Sequence, residues 1–197
     1  MVRPALPVVV LLALVPALAA QQQPAPVVRM ADQFEKVHDV RDHRGDVVVF
    51  LYGDRRSADA NKALGALLHV AFHPQAAGLP PPRARAAPVR PVAGAPAGAR
   101  SPDVLTVPVA CVGAAPLFVR SILRAQFRAA SAGVPVWLDF TDQMKRQFNL
   151  RPGVPNVVVF DTLGRYRYTA AGPLSPAETQ RLVDAVEALR REAVRGP

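Results

Sequence analysis

"VVVFLYGDRRSADANKALGALL", residues 47–68, decides the fold class. Its first half belongs to "DVVVFLY", a continuous β-branched apolar run, which is the pattern of a strand covered on both faces. Gly53 and Asp54 then make a turn, and a helix starts at once. Ser57 suits its N-cap, and Asp59 in the first turn suits the positive end of the helix dipole. Ala60, Ala63, Leu64, Leu67, Leu68 and Ala71 follow at helical spacing. A strand that hands the chain through a tight turn to a helix N-terminus is where many α/β proteins keep their chemistry. This turn, "YGDRRSADAN", holds no Cys, no His and no glycine-rich phosphate loop.

On the N-terminal side, "QFEKVHDVRDHRGD" alternates Phe34, Val37 and Val40 with polar residues and predicts a short strand or hairpin. On the C-terminal side, residues 74–102 carry eight prolines and almost no large apolar residue, which predicts an extended or mobile insertion. "DVLTVPVACV" reads as a second strand, with Pro108 marking an edge or a bulge. "APLFVRSILRAQFRAA" is an amphipathic helix whose Leu117, Phe118, Ile122, Leu123 and Phe127 are expected to face a core. "VPVWLDF" is a third strand, and Thr141 is expected to cap the short helix "DQMKRQF". "NVVVFDTLGRYRYTA" gives two strands joined by a turn at residues 162–164. "SPAE" opens the last helix, with Ser175 as N-cap, Pro176 at the first helical position and Glu178 closing a capping box. Early strands alternating with helices imply right-handed parallel crossovers, and the late hairpin adds antiparallel strands. A mixed sheet with helices on both faces follows.

The chain has 197 residues and a formal charge of +9, with 21 Arg against 3 Lys. Such a balance favours anionic partners through long-range attraction. Its opening, "MVRPALPVVVLLALVPALAAQQQ", has one basic residue, an apolar run over residues 5–18, and the small-residue pattern of Ala17, Leu18 and Ala19. This predicts a signal peptide over residues 1–20, cut after Ala19 or Ala20, a flexible leader over 21–32, and a periplasmic or secreted domain over 33–195. An uncleaved anchor is disfavoured, because the run contains Pro7 and Pro16 and is shorter than the ~20 residues of a spanning helix. No transmembrane span is expected in the mature chain. Disulfides are permitted outside the cytoplasm, yet Cys111 is the only cysteine, so no intrachain disulfide can form.

The order of elements resembles the thioredoxin-like superfamily in its extracytoplasmic redoxin and peroxiredoxin-like branch. That resemblance implies an α/β fold: a thioredoxin-like mixed β-sheet flanked by helices, here with an N-terminal hairpin and a Pro-rich insertion. The most specific match is "FNLRPGVPNVVVFDTLGRYRYTAAGPLSPAETQRLVDAV". By it Pro155 is the family's cis-proline, Asp161 and Gly164 form the turn between the two strands, and Gly172 is the glycine after the second. The departure lies at the opening stretch. The family's Cys-x-x-Cys falls on Arg56 and Asp59, and in a peroxiredoxin-like register Ser57 and Ala60 take the threonine and cysteine positions. Dithiol exchange needs one thiolate to attack and a second to resolve, so neither chemistry carries over.

What remains is a set of weaker candidates. The groove beside Pro155, lined by Val154 and Pro155 with Tyr52, Gly53, Asp54, Arg55, Arg56 and Ser57 opposite, is expected to bind an extended protein or peptide segment without a thiol. Arg120, Arg124 and Arg128 recur every four residues and are expected to form an anionic-partner surface. No nucleic-acid module accompanies them, so no sequence-specific nucleic acid is expected. Cys111 is the alternative thiol, for a one-cysteine oxidoreductase or peroxidase-like antioxidant protein. His69 and His73, four apart on a helix, and His38 and His43 on the hairpin are too few to make a metal site. Asp54, Asp59 and Asn61 show no paired nucleophile. No cofactor, no metal and no dithiol catalysis are expected.

Overall fold

The computed structural model describes residues 27–96, 98–131 and 133–195; the signal peptide and most of the leader expected from the sequence lie outside them. Seven strands occur among the described residues: β1 (Arg29–Ala31), β2 (Val37–Asp39), β3 (Val47–Gly53), β4 (Val104–Cys111), β5 (Trp137–Asp139), β6 (Asn156–Phe160) and β7 (Tyr166–Ala171). Five helices accompany them: α1 (Ala58–Phe72), α2 (Pro81–Arg85), α3 (Leu117–Ala130), α4 (Gln143–Gln147) and α5 (Pro176–Arg195). The main sheet has the order β5-β4-β3-β6-β7. β3, β4 and β5 run parallel, and β6 and β7 are antiparallel, as the alternation in the sequence implies.

All seven residues of β3 are buried, because the strand is central and both of its faces are covered. Val47, Val49 and Leu51 pack under Leu68 and Phe72 of α1 and Leu182, Val183 and Val186 of α5. Val48, Phe50 and Tyr52 face the other way, against Val28, Met30, Trp137, Met144 and Leu150. A fully buried Val, Leu or Phe contributes about 1.5–3 kcal/mol, and this strand buries six apolar side chains in a row.

The second face is closed by the N-terminal hairpin, which begins inside the expected leader. β1 lies before residue 33 and pairs with β2, and Met30 and Asp32 are buried. Asp32 shapes the turn by accepting from the amides of Phe34 and Lys36 and pairing with His38 at 2.8 Å. His38 stacks on Trp137 with ring centroids 5.1 Å apart, and Gln33 Nε2 bonds the carbonyls of Ser131 and Val134. Val28, Met30 and Asp32, which the sequence assigns to the leader, are therefore packed into the fold.

Residues 74–102 are likewise not a free extended loop. They contain α2, and Ala76 and Val92 are buried. The anchor is Arg190, fully buried on α5, whose Nε bonds Pro102 O at 2.8 Å while its Nη2 bonds Arg90 O at 2.6 Å. Nη1 pairs with Glu187 at 2.7 Å. His69 and His73 stack at 4.3 Å and serve the same end, His69 bonding Ala84 O and His73 bonding Asp103. Proline supplies no amide and the segment has few apolar side chains, so its carbonyls are held by side chains from the folded body instead.

α3 also departs from expectation. Leu123 and Phe127 pack toward Val136, Leu138 and Phe140, but Leu117, Phe118 and Ile122 are 80%, 71% and 54% exposed. Two apolar stripes share this helix, and the inner one is completed by arginine stems rather than by the second stripe. Pro108 sits where β4 has no partner on the β5 side, since pairing with β5 starts at Val109. The β6–β7 turn matches its sequence: Asp161 accepts from the amides of Leu163 and Arg165 and pairs with Arg165 and Arg167, and Gly164 has φ 75°. Ser175 and Glu178 exchange the hydrogen bonds of a capping box.

Removing one partner of a buried ion pair costs about 3–5 kcal/mol. Arg190→Met is therefore expected to lower the urea unfolding free energy by that order and to speed tryptic cleavage at Arg83, Arg85 and Arg100. A loss under about 1 kcal/mol with unchanged cleavage would show that Arg190 does not hold the insertion.

Candidate functional site

The register brings the C-terminal ends of the parallel strands β3, β4 and β5 together with the start of antiparallel β6. Gly53 lies beside Ala110, Cys111 beside Asp139, and Tyr52 opposite Asn156. One edge of the sheet thus collects residues 54–57, 112–116, 140–142 and 151–155. It holds the expected groove and Cys111.

The β3–α1 turn is closed on itself. Ser57 is 1% exposed, and its hydroxyl donates to Asp54 O at 3.1 Å instead of capping α1. Gly53 is forced by this packing, because a Cβ there would lie 2.1 Å from the Ser57 oxygen and 2.5 Å from Asn61 Nδ2. Asp54, expected only to line the groove, organises it. Its carboxylate accepts from Arg56 N at 2.9 Å and, across the groove, from Gly153 N at 2.9 Å. Arg56 and Asp59, at the two positions where the resemblance places cysteines, are exposed, and Ala60 is too.

The opposite wall is also internally satisfied. The peptide bond before Pro155 is trans, as are all bonds among the described residues, which corrects the expected cis-proline. The trans loop is held from both sides: Asn156 Nδ2 bonds the carbonyls of Arg151 and Val154, and Pro155 O accepts from Gly172 N. Pro155, Tyr52, Gly53 and Ser57 are buried, so Asp54, Arg55, Arg56 and Val154 are what the expected groove leaves at the surface. Arg151 joins them, its guanidinium reaching Ala171 O.

Cys111 is half-buried at the end of β4. Its thiol donates to Asp142 Oδ1 at 3.5 Å. Asp142 occupies the left-handed region, φ 53°, just ahead of α4. Asp139, 1% exposed, accepts from the amides of Thr141, Gln143 and Met144 and so caps α4 in place of the expected Thr141. Its second oxygen receives the Tyr52 hydroxyl at 3.4 Å. Burial pushes the Cys111 thiol above its ordinary value, and the Asp142 and Asp139 carboxylates push the same way. Burial likewise raises Tyr52. The thiol is neighboured by carboxylates rather than by a cation, the reverse of what activates a cysteine.

Arg120 and Arg124 are half-buried against the domain, and Arg128 is exposed. Arg120 bonds Ala115 O, Arg124 pairs with Glu35 at 3.1 Å, and both lie over the Phe140 ring at 5.1 and 5.4 Å. Arg128 bonds Gln33 O. Among the described residues no three His, Cys, Asp or Glu gather as metal ligands.

No family model matches this sequence, and no curated protein matches it. Solved structures do match. A thioredoxin-like protein of Porphyromonas gingivalis is 18% identical, with TM-score 0.53 over 87% of this chain and 93% of its own. A secreted thiol-disulfide isomerase of Corynebacterium glutamicum is 14% identical, with TM-score 0.53 over 85% and 86%. The exposed lipoprotein thioredoxin of Streptococcus pneumoniae is 12% identical, with TM-score 0.52 over 81% and 99%. The chain has the thioredoxin-like fold. It carries that fold with one cysteine and no Cys-x-x-Cys.

Alkylation of Cys111 in the native chain is expected to rise with a midpoint above the ~8.5 of a free thiol. Asp142→Asn removes a neighbouring negative charge, tolerates the left-handed backbone, and moves that midpoint down. A wild-type midpoint below about 7 would reverse the assignment. Asp54→Ala leaves the amides of Arg56 and Gly153 without their carboxylate, with an expected stability loss of about 1.5–3 kcal/mol in urea unfolding.

Proposed function

We propose that this chain is an exported thioredoxin-fold protein that recognises a partner and does not exchange disulfides. One observation carries the reading. At the end of β3 the positions for a dithiol hold exposed Arg56 and Asp59, and Asp54 closes the turn onto Gly153. A thiolate pair is needed for exchange, whereas recognition needs only a surface held in place. The opening of the sequence supports export, and the solved neighbours include a secreted isomerase and an exposed lipoprotein. The partner surface is the rim of the vacated site, Arg55, Arg56, Arg151 and Val154, rather than a row of free main-chain groups. The protein acts there as a binding or scaffold module.

The rival reading is a one-cysteine oxidoreductase or peroxidase-like protein using Cys111. It is supported by the position of that thiol, on the same sheet edge as the vacated site. Insulin reduction and peroxide consumption, each with an external thiol reductant, separate the two. The expected result is no turnover above buffer for wild type or Cys111→Ser. Turnover by wild type that disappears in Cys111→Ser would overturn the recognition reading.

A further inference from the structure

Three features lie on one edge of the sheet. The first is apolar: Leu117 and Phe118 open α3 six residues after β4 ends, and they are 80% and 71% exposed, with Ile122 one turn on at 54%. The second is charge. Arg55, Arg56 and Arg151 surround the vacated site and Arg146 stands in the last turn of the short α4, all exposed. Among the described residues none of these four guanidiniums pairs with a carboxylate. The carboxylates on the same edge are exposed Asp59 and Glu178, half-buried Asp142, which accepts from the Cys111 thiol, and Asp54, which is engaged by backbone amides. The third is the point where the N-terminal chain leaves. Val27 O accepts from Gln143 Nε2 at 2.8 Å, at the start of α4.

The geometry points to an anionic lipid bilayer as the partner of this edge. Exposed leucine and phenylalanine beside unpaired guanidiniums is the chemistry of an interfacial surface: apolar side chains enter the acyl boundary while cations stay at the phosphates. The apolar side chains supply area that a soluble domain otherwise hides. The formal charge of +9 draws the same face to an anionic leaflet from a distance. A second copy of the chain fits less well, since two such edges bring like charges together. An acidic peptide uses the arginines but leaves Leu117, Phe118 and Ile122 uncovered. No helix among the described residues is long and apolar enough to cross a membrane. The edge lies on the surface with α3 half-immersed. The proposal rests on the recognition reading of the same edge and names what that edge recognises.

The test uses the full chain with Cys111→Ser, so that one introduced thiol carries an environment-sensitive fluorophore. Phe118→Cys places it on α3, and Leu163→Cys places it on the opposite edge, in the exposed β6–β7 turn. Vesicles are phosphatidylcholine alone or with phosphatidylglycerol, with and without a lipid-borne spin-label quencher. The expected result is a blue shift and quenching at Phe118→Cys on the anionic vesicles, weakened by salt, and neither at Leu163→Cys. The triple variant Arg55→Ala/Arg56→Ala/Arg151→Ala is expected to bind those vesicles about a hundredfold more weakly, at a factor of about five per basic residue. Three outcomes would overturn the proposal: a Phe118→Cys probe still in water on anionic vesicles, equal quenching at both positions, or a probe shielded without lipid as the mass doubles. Saturable binding of a poly-glutamate peptide that displaces the chain from vesicles without drying the probe also overturns it, yet leaves the recognition reading standing. Disulfide turnover would remove that reading instead.

Discussion

The constraint on which this molecule depends is that β3 must be covered on both faces. Seven consecutive buried residues cannot be satisfied by one layer, so the chain supplies two. α1 and α5 form one and the N-terminal hairpin with α4 forms the other. Neither layer is self-sufficient. The hairpin has three-residue strands, too short to be stable alone, and holds its place through Gln33, Asp32 and His38. The insertion between α1 and β4 is pinned by Arg190, so even the segment poorest in apolar side chains is tied to the helix that covers the strand.

Much of this was legible in the sequence, where the signal is periodic or local. The β-branched run of β3, the capping box at Ser175 and Glu178, and the Asp161–Gly164 turn need only neighbouring residues, and they stand where the sequence puts them. What was not legible depends on long-range partners. Nothing near Arg190 in the sequence says that it will bond the carbonyls of Arg90 and Pro102, and nothing near Gln33 points to Ser131 and Val134. α3 fails for another reason. Its two apolar stripes are equally good candidates for burial, and the choice rests on Phe140 attracting the Arg120 and Arg124 guanidiniums to the inner side.

The candidate site divides the same way. The missing thiols could be read directly, since Arg56 and Asp59 are visible in the sequence. The closing of the turn could not, because the carboxylate of Asp54 reaches an amide 99 residues away. Nor could the surroundings of Cys111, which come from Asp139 and Asp142 after the next parallel strand. A sequence shows that no dithiol is present; it takes the fold to show that carboxylates, not cations, neighbour the single thiol.

Trp137 adds a last consequence. It is the only tryptophan, and it touches both the central strand and the layer over its second face: Phe50 of β3 at 5.1 Å and His38 of the hairpin at 5.1 Å. An indole sandwiched in this way changes its emission when either neighbour departs. The molecule thus contains its own optical gauge of whether the N-terminal flap is seated, readable without any label.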